Sequence, residues 1–229
     1  GLGEKLGITF GALRACNPRI LMASISAFGD GPIGKTMPGY DALVQAVSGM
    51  MSFNGSPDTP TIRVAPSILD LSTGMWTAMG LLAAILRRNT SGEAEHIRPS
   101  LIDSAFTMMN HQLLGMLATG QPPEKLGSGA PSAAPYGVFK ASNGELLIAT
   151  ASEQQFPRLC KALGLDTLIE DVRFRTMVDR LQHREPLDLA IAAVINLQTV
   201  EHWRAHLGSA GISCGRVNDL ADALDRAHR

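Results

Sequence analysis

Asp70 is the acid best placed to do chemistry. It is the lone charge in PSILDLSTGMW, residues 66–76, where a long apolar run begins. Two readings compete for it. Ser67-x-x-Asp70 is a capping-box pattern, in which Asp70 complements the positive end of a helix. The same geometry presents an ionised carboxylate which, with water excluded, is a nucleophile. The local pattern by itself favours the cap. His202 and His206 lie four apart in HWRAH, but the zinc-protease pattern needs Glu directly after the first His and Trp203 stands there. They read as structural histidines. Cys214 lies near them in sequence, which says nothing about geometry, and reads as a small buried thiol. Gly29, Gly31 and Gly34 match G-x-G-x-x-G, yet Pro32, Pro38 and Gly39 delay the helix that a dinucleotide site needs at once. A turn is the better reading. The chain shows no P-loop and no G-x-S-x-G elbow, so simple kinase and hydrolase readings lose ground.

The elements that must position these groups follow from periodicity. Residues 19–28 form an apolar, partly β-branched run that reads as a buried strand. Helical spacing of Leu43, Val44, Val47, Met50 and Met51 predicts a helix over 40–51, and a long helix follows at 68–88, closed by Arg87 and Arg88. Its most apolar part, 71–86, has 16 residues. That falls short of the roughly 20 needed to cross a bilayer and predicts a buried core helix, with no membrane. Ser100 and Asp103 open a helix over 101–118. Residues 119–135 hold seven Gly or Pro in seventeen positions, which makes them the candidate linker. Beyond it, YGVFKAS and ELLIATA flank Asn143-Gly144, a hairpin signal. Helices at 153–163, 184–196 and 200–209, a strand at 212–217 and an N-cap at Asn218 complete a small α+β module.

Charge and composition narrow the classes. With 20 basic and 21 acidic side chains among 229 residues, the net charge is -1, which excludes nucleic-acid binding through overall basicity. A 45% hydrophobic content excludes a disordered chain. Cys16, Cys160 and Cys214 are odd in number and far apart, as free thiols in a reducing cytoplasm would be. No signal peptide is visible at the start. Gly1 in place of Met suggests a piece of a longer chain.

Several segments, in order, carry a resemblance. Residues 39–88, GYDALVQAVSGMMSFNGSPDTPTIRVAPSILDLSTGMWTAMGLLAAILRR, resemble the central segment of class III coenzyme A transferases, the CaiB/BaiF family that includes formyl-CoA transferase, carnitine CoA-transferase and α-methylacyl-CoA racemase. SLIDSAF, APYGVFKASNGELLIAT and AGISCGRVNDL are similar to the same family. The resemblance implies an α/β fold: an incomplete parallel-sheet larger domain over 1–118, the linker 119–135, a small α+β domain over 136–217, and a segment from 218 to 229 that starts back to the large domain. It implies that Asp70, followed here by Gly74, is a covalent nucleophile that moves coenzyme A from an acyl-CoA to a carboxylic acid acceptor through mixed-anhydride and aspartyl-CoA intermediates. Coenzyme A is then a substrate; no cofactor and no metal are implied.

Within that family, the racemase branch carries His directly before the Asp of this segment, whereas Gly39-Tyr40-Asp41 stands here. Tyr40 resembles the tyrosine that transferases use near the substrate carboxylate. Gly127, Ser128 and Gly129 fall where relatives carry a glycine-rich loop over the active site, whose amides would stabilise an oxyanion; a plain flexible linker is the alternative. Ala130 precedes Pro131 where many relatives show His, and Pro99 stands in a strand position where relatives have an acidic V-D-V-S pattern. The resemblance further implies an interlocked homodimer for the complete protein, with the first strands of the large domain and most coenzyme A contacts in an absent N-terminal part. A racemase or epimerase on the same scaffold, and a non-catalytic acyl-CoA-binding subunit, are the alternatives.

Overall fold

The computed structural model describes residues 2–32 and 34–227, and the chain divides into two units, Gly1–Lys125 and Leu126–Arg229. In the first unit, the helices α1 (Leu2–Lys5) and α2 (Phe10–Cys16) precede strand β1 (Leu21–Ala23). Then come α3 (Asp41–Val47), a single 3₁₀ turn at Met50–Ser52, α4 (Ile68–Ser91), β2 (Glu95–Ile97), α5 (Leu101–Met108) and α6 (Asn110–Thr119). β1 and β2 pair in parallel, Leu21 with Glu95 and Ala23 with Ile97. Parallel pairing requires a crossover, and the chain supplies it through α3 and α4.

The strand expected over 19–28 is regular for only three residues. Pro99 has no N–H to offer the ladder, so beyond Ile97 the pairing thins to single bonds, Ser26 N–H to the Pro99 carbonyl at 3.2 Å and Leu101 N–H to the Ser26 carbonyl at 3.0 Å. The helix expected over 101–118 breaks at Met109, whose side chain is buried while its backbone leaves helical geometry at ψ 15°. Ser100 does cap α5, its hydroxyl accepting from the Asp103 N–H at 3.2 Å.

α4 departs most from expectation. It runs 24 residues to Ser91, ends on Gly92 at φ 74°, and is the one helix among the described residues long and apolar enough to cross a membrane by length and composition; core helices of soluble folds pass the same test. It is not a buried core helix within its unit. Its inward residues are Leu69, Ser72, Thr73, Thr77 and Ala84, while Leu71, Met75, Met79, Leu82 and Leu86 form an exposed stripe. Small inward side chains allow close approach: a Cβ on Gly80 would sit 3.2 Å from Ile97 Cγ2. The core of this unit is correspondingly thin, built from Val44, Met50, Leu69, Leu101, Ala105 and Met109.

The second unit is an antiparallel sheet of β3 (Tyr136–Ala141), β4 (Gly144–Ala149) and β5 (Ser213–Arg216) in the order β3-β4-β5. Ala141 pairs with Gly144, so Ser142 and Asn143 make the hairpin turn, one residue earlier than the Asn-Gly pair suggested. Between β4 and β5 run α7 (Gln155–Leu163), α8 (Thr167–Glu170), a 3₁₀ turn at Val172–Phe174, α9 (Met177–Gln182), α10 (Arg184–Ile195) and α11 (Val200–Ser209); α12 (Leu220–Ala227) follows. Alternation puts Phe139, Ala141, Leu146 and Ile148 on one face, where Leu159, Ile191, Ile195 and Leu207 join them in the core. The cap of α12 is Asp219, whose Oδ1 accepts from the Asp222 N–H at 2.8 Å, and not Asn218.

Candidate functional site

The first turn of a helix leaves amides without intrahelical partners, and the usual remedy is the N-cap side chain. Ser67 is the N-cap of α4, yet its side chain makes no capping bond. The expected Ser67–Asp70 box does not form. The Asp41 carboxylate, at the start of α3, takes that role from 28 residues away. Its Oδ2 accepts from the Leu69 N–H at 2.7 Å and from the Asp70 N–H at 3.3 Å. Its Oδ1 accepts from Gln45 Nε2 at 2.6 Å. Gln45 in turn accepts the Val64 N–H at 2.8 Å, which ties down the chain entering α4. Asp41 is 4% exposed and Gln45 fully buried, so these bonds lie where water does not compete.

Asp70 itself is exposed, and no described side chain pairs with its carboxylate. One turn further in, the Thr73 hydroxyl donates to the Leu69 carbonyl at 2.6 Å and meets Ser104 Oγ at 2.7 Å, locking α4 to α5. Tyr40, the residue before Asp41, is 83% exposed and sits at the N-cap position of α3. Asp41 thereby brings Tyr40 and Asp70 to one corner of the first unit. The glycine-rich turn is spent on packing: α3 opens only at Asp41, and a Cβ on Gly34 would run into the carbonyl oxygens of Phe28 and Gly29.

Gly127, Ser128 and Gly129 belong to the second unit, and the segment is no plain tether. Ser128 Oγ accepts from the Val138 N–H at 2.8 Å. The Gly129 N–H donates to the Leu126 carbonyl at 2.8 Å, so that amide is already spent. Arg184 on α10 crosses the segment, donating to the Ala133 carbonyl at 2.9 Å and to that of Ala130, and a Cβ on Gly129 would approach its Nη1 to 2.9 Å. Arg180 on α9, fully buried, donates to the Ala134 carbonyl at 2.8 Å and the Phe174 carbonyl at 2.9 Å, and pairs with Glu153 at 2.7 Å. Two guanidiniums thus fasten residues 130–134, which sequence reasoning missed because nothing local marks an arginine as a partner of a linker 46 to 54 residues away.

The other sequence candidates are structural. His202 and His206 stack at 5.8 Å, and His206 Nε2 lies 2.9 Å from the Ala162 carbonyl. Among the described residues no group of three His, Cys, Asp or Glu side chains is placed to hold a metal ion. Burial pushes the Cys160 thiol up to about 12 and raises that of Cys214, so both stay protonated rather than nucleophilic.

Comparison with known proteins bears on the chain as a whole. The family model described as CoA-transferase family III matches residues 1–229. The chain is 34% identical over 227 residues to an acetyl-CoA:oxalate CoA-transferase of Acetobacter aceti, covering 98% of this chain and 58% of that protein. It is 30% identical over 222 residues to a succinate–glutarate CoA-transferase of Agrobacterium fabrum, covering 95% of this chain and 54% of the relative. The chain therefore spans little more than half the length of these curated relatives. Among solved structures, a CaiB/BaiF family protein from Brucella suis superposes with a TM-score of 0.82 at 29% identity, over 98% of this chain and 60% of that one. A Mycobacterium tuberculosis protein in an orthorhombic form superposes with a TM-score of 0.86 at 25% identity, with the same coverage.

Proposed function

We infer the activity from one premise: this chain belongs to CoA-transferase family III. The protein moves coenzyme A from an acyl-CoA donor to a carboxylic acid acceptor, with Asp70 as the nucleophile. The observation that carries this reading is an exposed, unpaired carboxylate on a helix turn whose amides are satisfied by another side chain. Asp70 attacks the donor thioester carbonyl, forming a mixed anhydride and releasing coenzyme A thiolate. The thiolate attacks the aspartyl carbonyl, giving an aspartyl-CoA thioester and freeing the donor acid. The acceptor carboxylate then attacks that thioester, forming a second anhydride and again releasing the thiolate. Attack of the thiolate on the acceptor's acyl carbon yields the new acyl-CoA and restores Asp70. One thioester replaces another, so no nucleotide hydrolysis is needed.

Tyr40, beside the same corner, is suited to hydrogen-bond the carboxylate of donor or acceptor acid. The named relatives act on small dicarboxylic acids, oxalate and glutarate, which supports acids of that class as acceptors. Within the segment 127–129, the oxyanion role falls to the Gly127 amide rather than to that of Gly129, which bonds the Leu126 carbonyl. The exposed apolar stripe of α4 is the kind of surface that an interlocked homodimer would cover. The intact protein is expected to accumulate an Asp70 adduct when given acetyl-CoA or succinyl-CoA, trapped by hydroxylamine or borohydride and located by peptide mass mapping. An Asp70→Ala variant that transfers coenzyme A at the unaltered rate would sink the reading.

A further inference from the structure

Asp41 does more than cap a helix. The carboxylate at the third position of a helix commonly folds back onto the free amides of its own first turn. In α4 those amides have no claim on Asp70, because each has a partner. The Ile68 N–H donates to the Pro66 carbonyl at 2.8 Å and that of Leu71 to the Ser67 carbonyl at 3.1 Å. The remaining two, from Leu69 and Asp70 itself, converge on Asp41 Oδ2. One buried anion therefore occupies the end of the helix dipole that Asp70 would otherwise neutralise, and the exposed Asp70 side chain is left without a bond to any described residue.

The same carboxylate sets where that turn stands. Asp41 and Gln45 lie four apart on α3, one turn along the same face, and both reach the α4 side: Asp41 to the helix amides, Gln45 to Val64. Bonds to an ionised acceptor are roughly twice as strong as neutral ones. A shift of the first turn would thus break two charge-assisted bonds in a buried setting.

We propose that Asp41 is the positioning residue for the nucleophile, holding the first turn of α4 and occupying its amides so that the Asp70 carboxylate stays free and aimed at the thioester. This rests on the reading of Asp70 as nucleophile and goes beyond it by naming what keeps that group available. Asp41 touches no substrate; it acts through Asp70.

The test compares Asp41→Ala, Asp41→Asn and Gln45→Ala in the intact protein, following adduct formation from acetyl-CoA or succinyl-CoA by rapid quench and coenzyme A transfer at steady state. Asn keeps an acceptor oxygen for the amides but loses the charge. Gln45→Ala loosens the same buried network without removing the acceptor of the α4 amides. The expected order is a loss of roughly 30- to 100-fold in kcat for Asp41→Ala and about 5-fold for Asp41→Asn, with KM for the acyl-CoA held within about 2-fold. Gln45→Ala is expected to lower the melting temperature and to cost less in kcat than Asp41→Asn. A folded Asp41→Asn with the parent rate of adduct formation overturns the proposal, as does a Gln45→Ala that is slower than Asp41→Asn. Should Asp41→Ala fail to fold, the Asn variant still decides. If the parent protein turns over but forms no adduct at Asp70, the nucleophile reading has failed instead, and the two failures are told apart by that control.

Discussion

The two units of this chain are held together by different physics. The second gathers seventeen buried apolar residues, from Ala134 to Ile212, between a three-stranded sheet and its helices. The first gathers a cluster of six among its described residues and relies on fixed polar contacts: Asp41 on the α4 amides, Thr73 against Ser104, Ser100 on α5. Apart from Leu69, its largest helix shows small side chains to its own core and large apolar ones outward. The difference teaches where precision comes from in each. In the second unit a sheet face and dispersion fix the fold, and two guanidiniums, that of Arg180 buried and that of Arg184 half-buried, fasten residues 130–134 to it. In the first, single hydrogen bonds fix the turn that carries Asp70.

Stability measurements can break that contrast. The largest effect is expected at Phe174, whose ring is 1% exposed in the core of the second unit; Phe174→Ala should cost about 3–5 kcal/mol in denaturant unfolding. A cost below about 1 kcal/mol would show that this core is loosely packed. Arg180→Met should cost about 3 kcal/mol, because it strands the Ala134 and Phe174 carbonyls inside the protein. Removing the charge of its exposed partner with Glu153→Gln should cost under about 1 kcal/mol. Equal costs would mean that the ion pair, and not the carbonyl contacts, holds the arginine.

Asp188 on α10 gives a pH test of the second unit. Burial raises its carboxyl to about 6, with Arg184 opposing, and Oδ1 is buried without a hydrogen-bond partner. Its folded value lies above the unfolded one, so the folded state holds a proton that the unfolded chain has lost between about pH 4 and 6. The penalty is therefore greatest above pH 6 and gone below about pH 4. Asp188→Asn should stabilise the protein by about 1–2 kcal/mol at pH 8 and leave it unchanged at pH 3.5. Comparison at matched pH is needed, because Glu201, bonded to Asn143 and Arg216, and Asp171, bonded to Arg173, are both held down to about 2 and act with the opposite sign. A small effect is expected in the first unit: Ser100→Ala should cost about 1 kcal/mol through loss of the α5 cap. A cost near that of Phe174→Ala would erase the contrast between a unit built on its core and one built on caps.

Local pattern made much of the second unit legible. Alternation around a hairpin, three helices with apolar periodicity and a short strand were readable because each signal lies within one element and its flanks. The same was true of the Ser100 cap, where donor and acceptor are three residues apart. Of the candidate site, Asp70 and its place at the head of a long helix were readable from the pattern of residues 66–76, and order of motifs supplied the family resemblance.

What local pattern left open was decided by chain segments that return from a distance. The box between Ser67 and Asp70 satisfied every local rule, yet Asp41 displaced it, because a buried ionised acceptor outcompetes an exposed hydroxyl for the same amides. The exposure of α4, the break at Met109, the three-residue length of β1 and the burial of Arg180 belong with it. Each turns on which surfaces meet after folding, whereas periodicity records only that a surface is apolar and which way it repeats. The sequence by itself thus determined the long helix, the hairpin and the main helices of the second unit, and which carboxylate heads the long helix. Tertiary structure alone decided what holds that carboxylate out, since a hydrogen-bond partner 28 residues away leaves no trace in any local window.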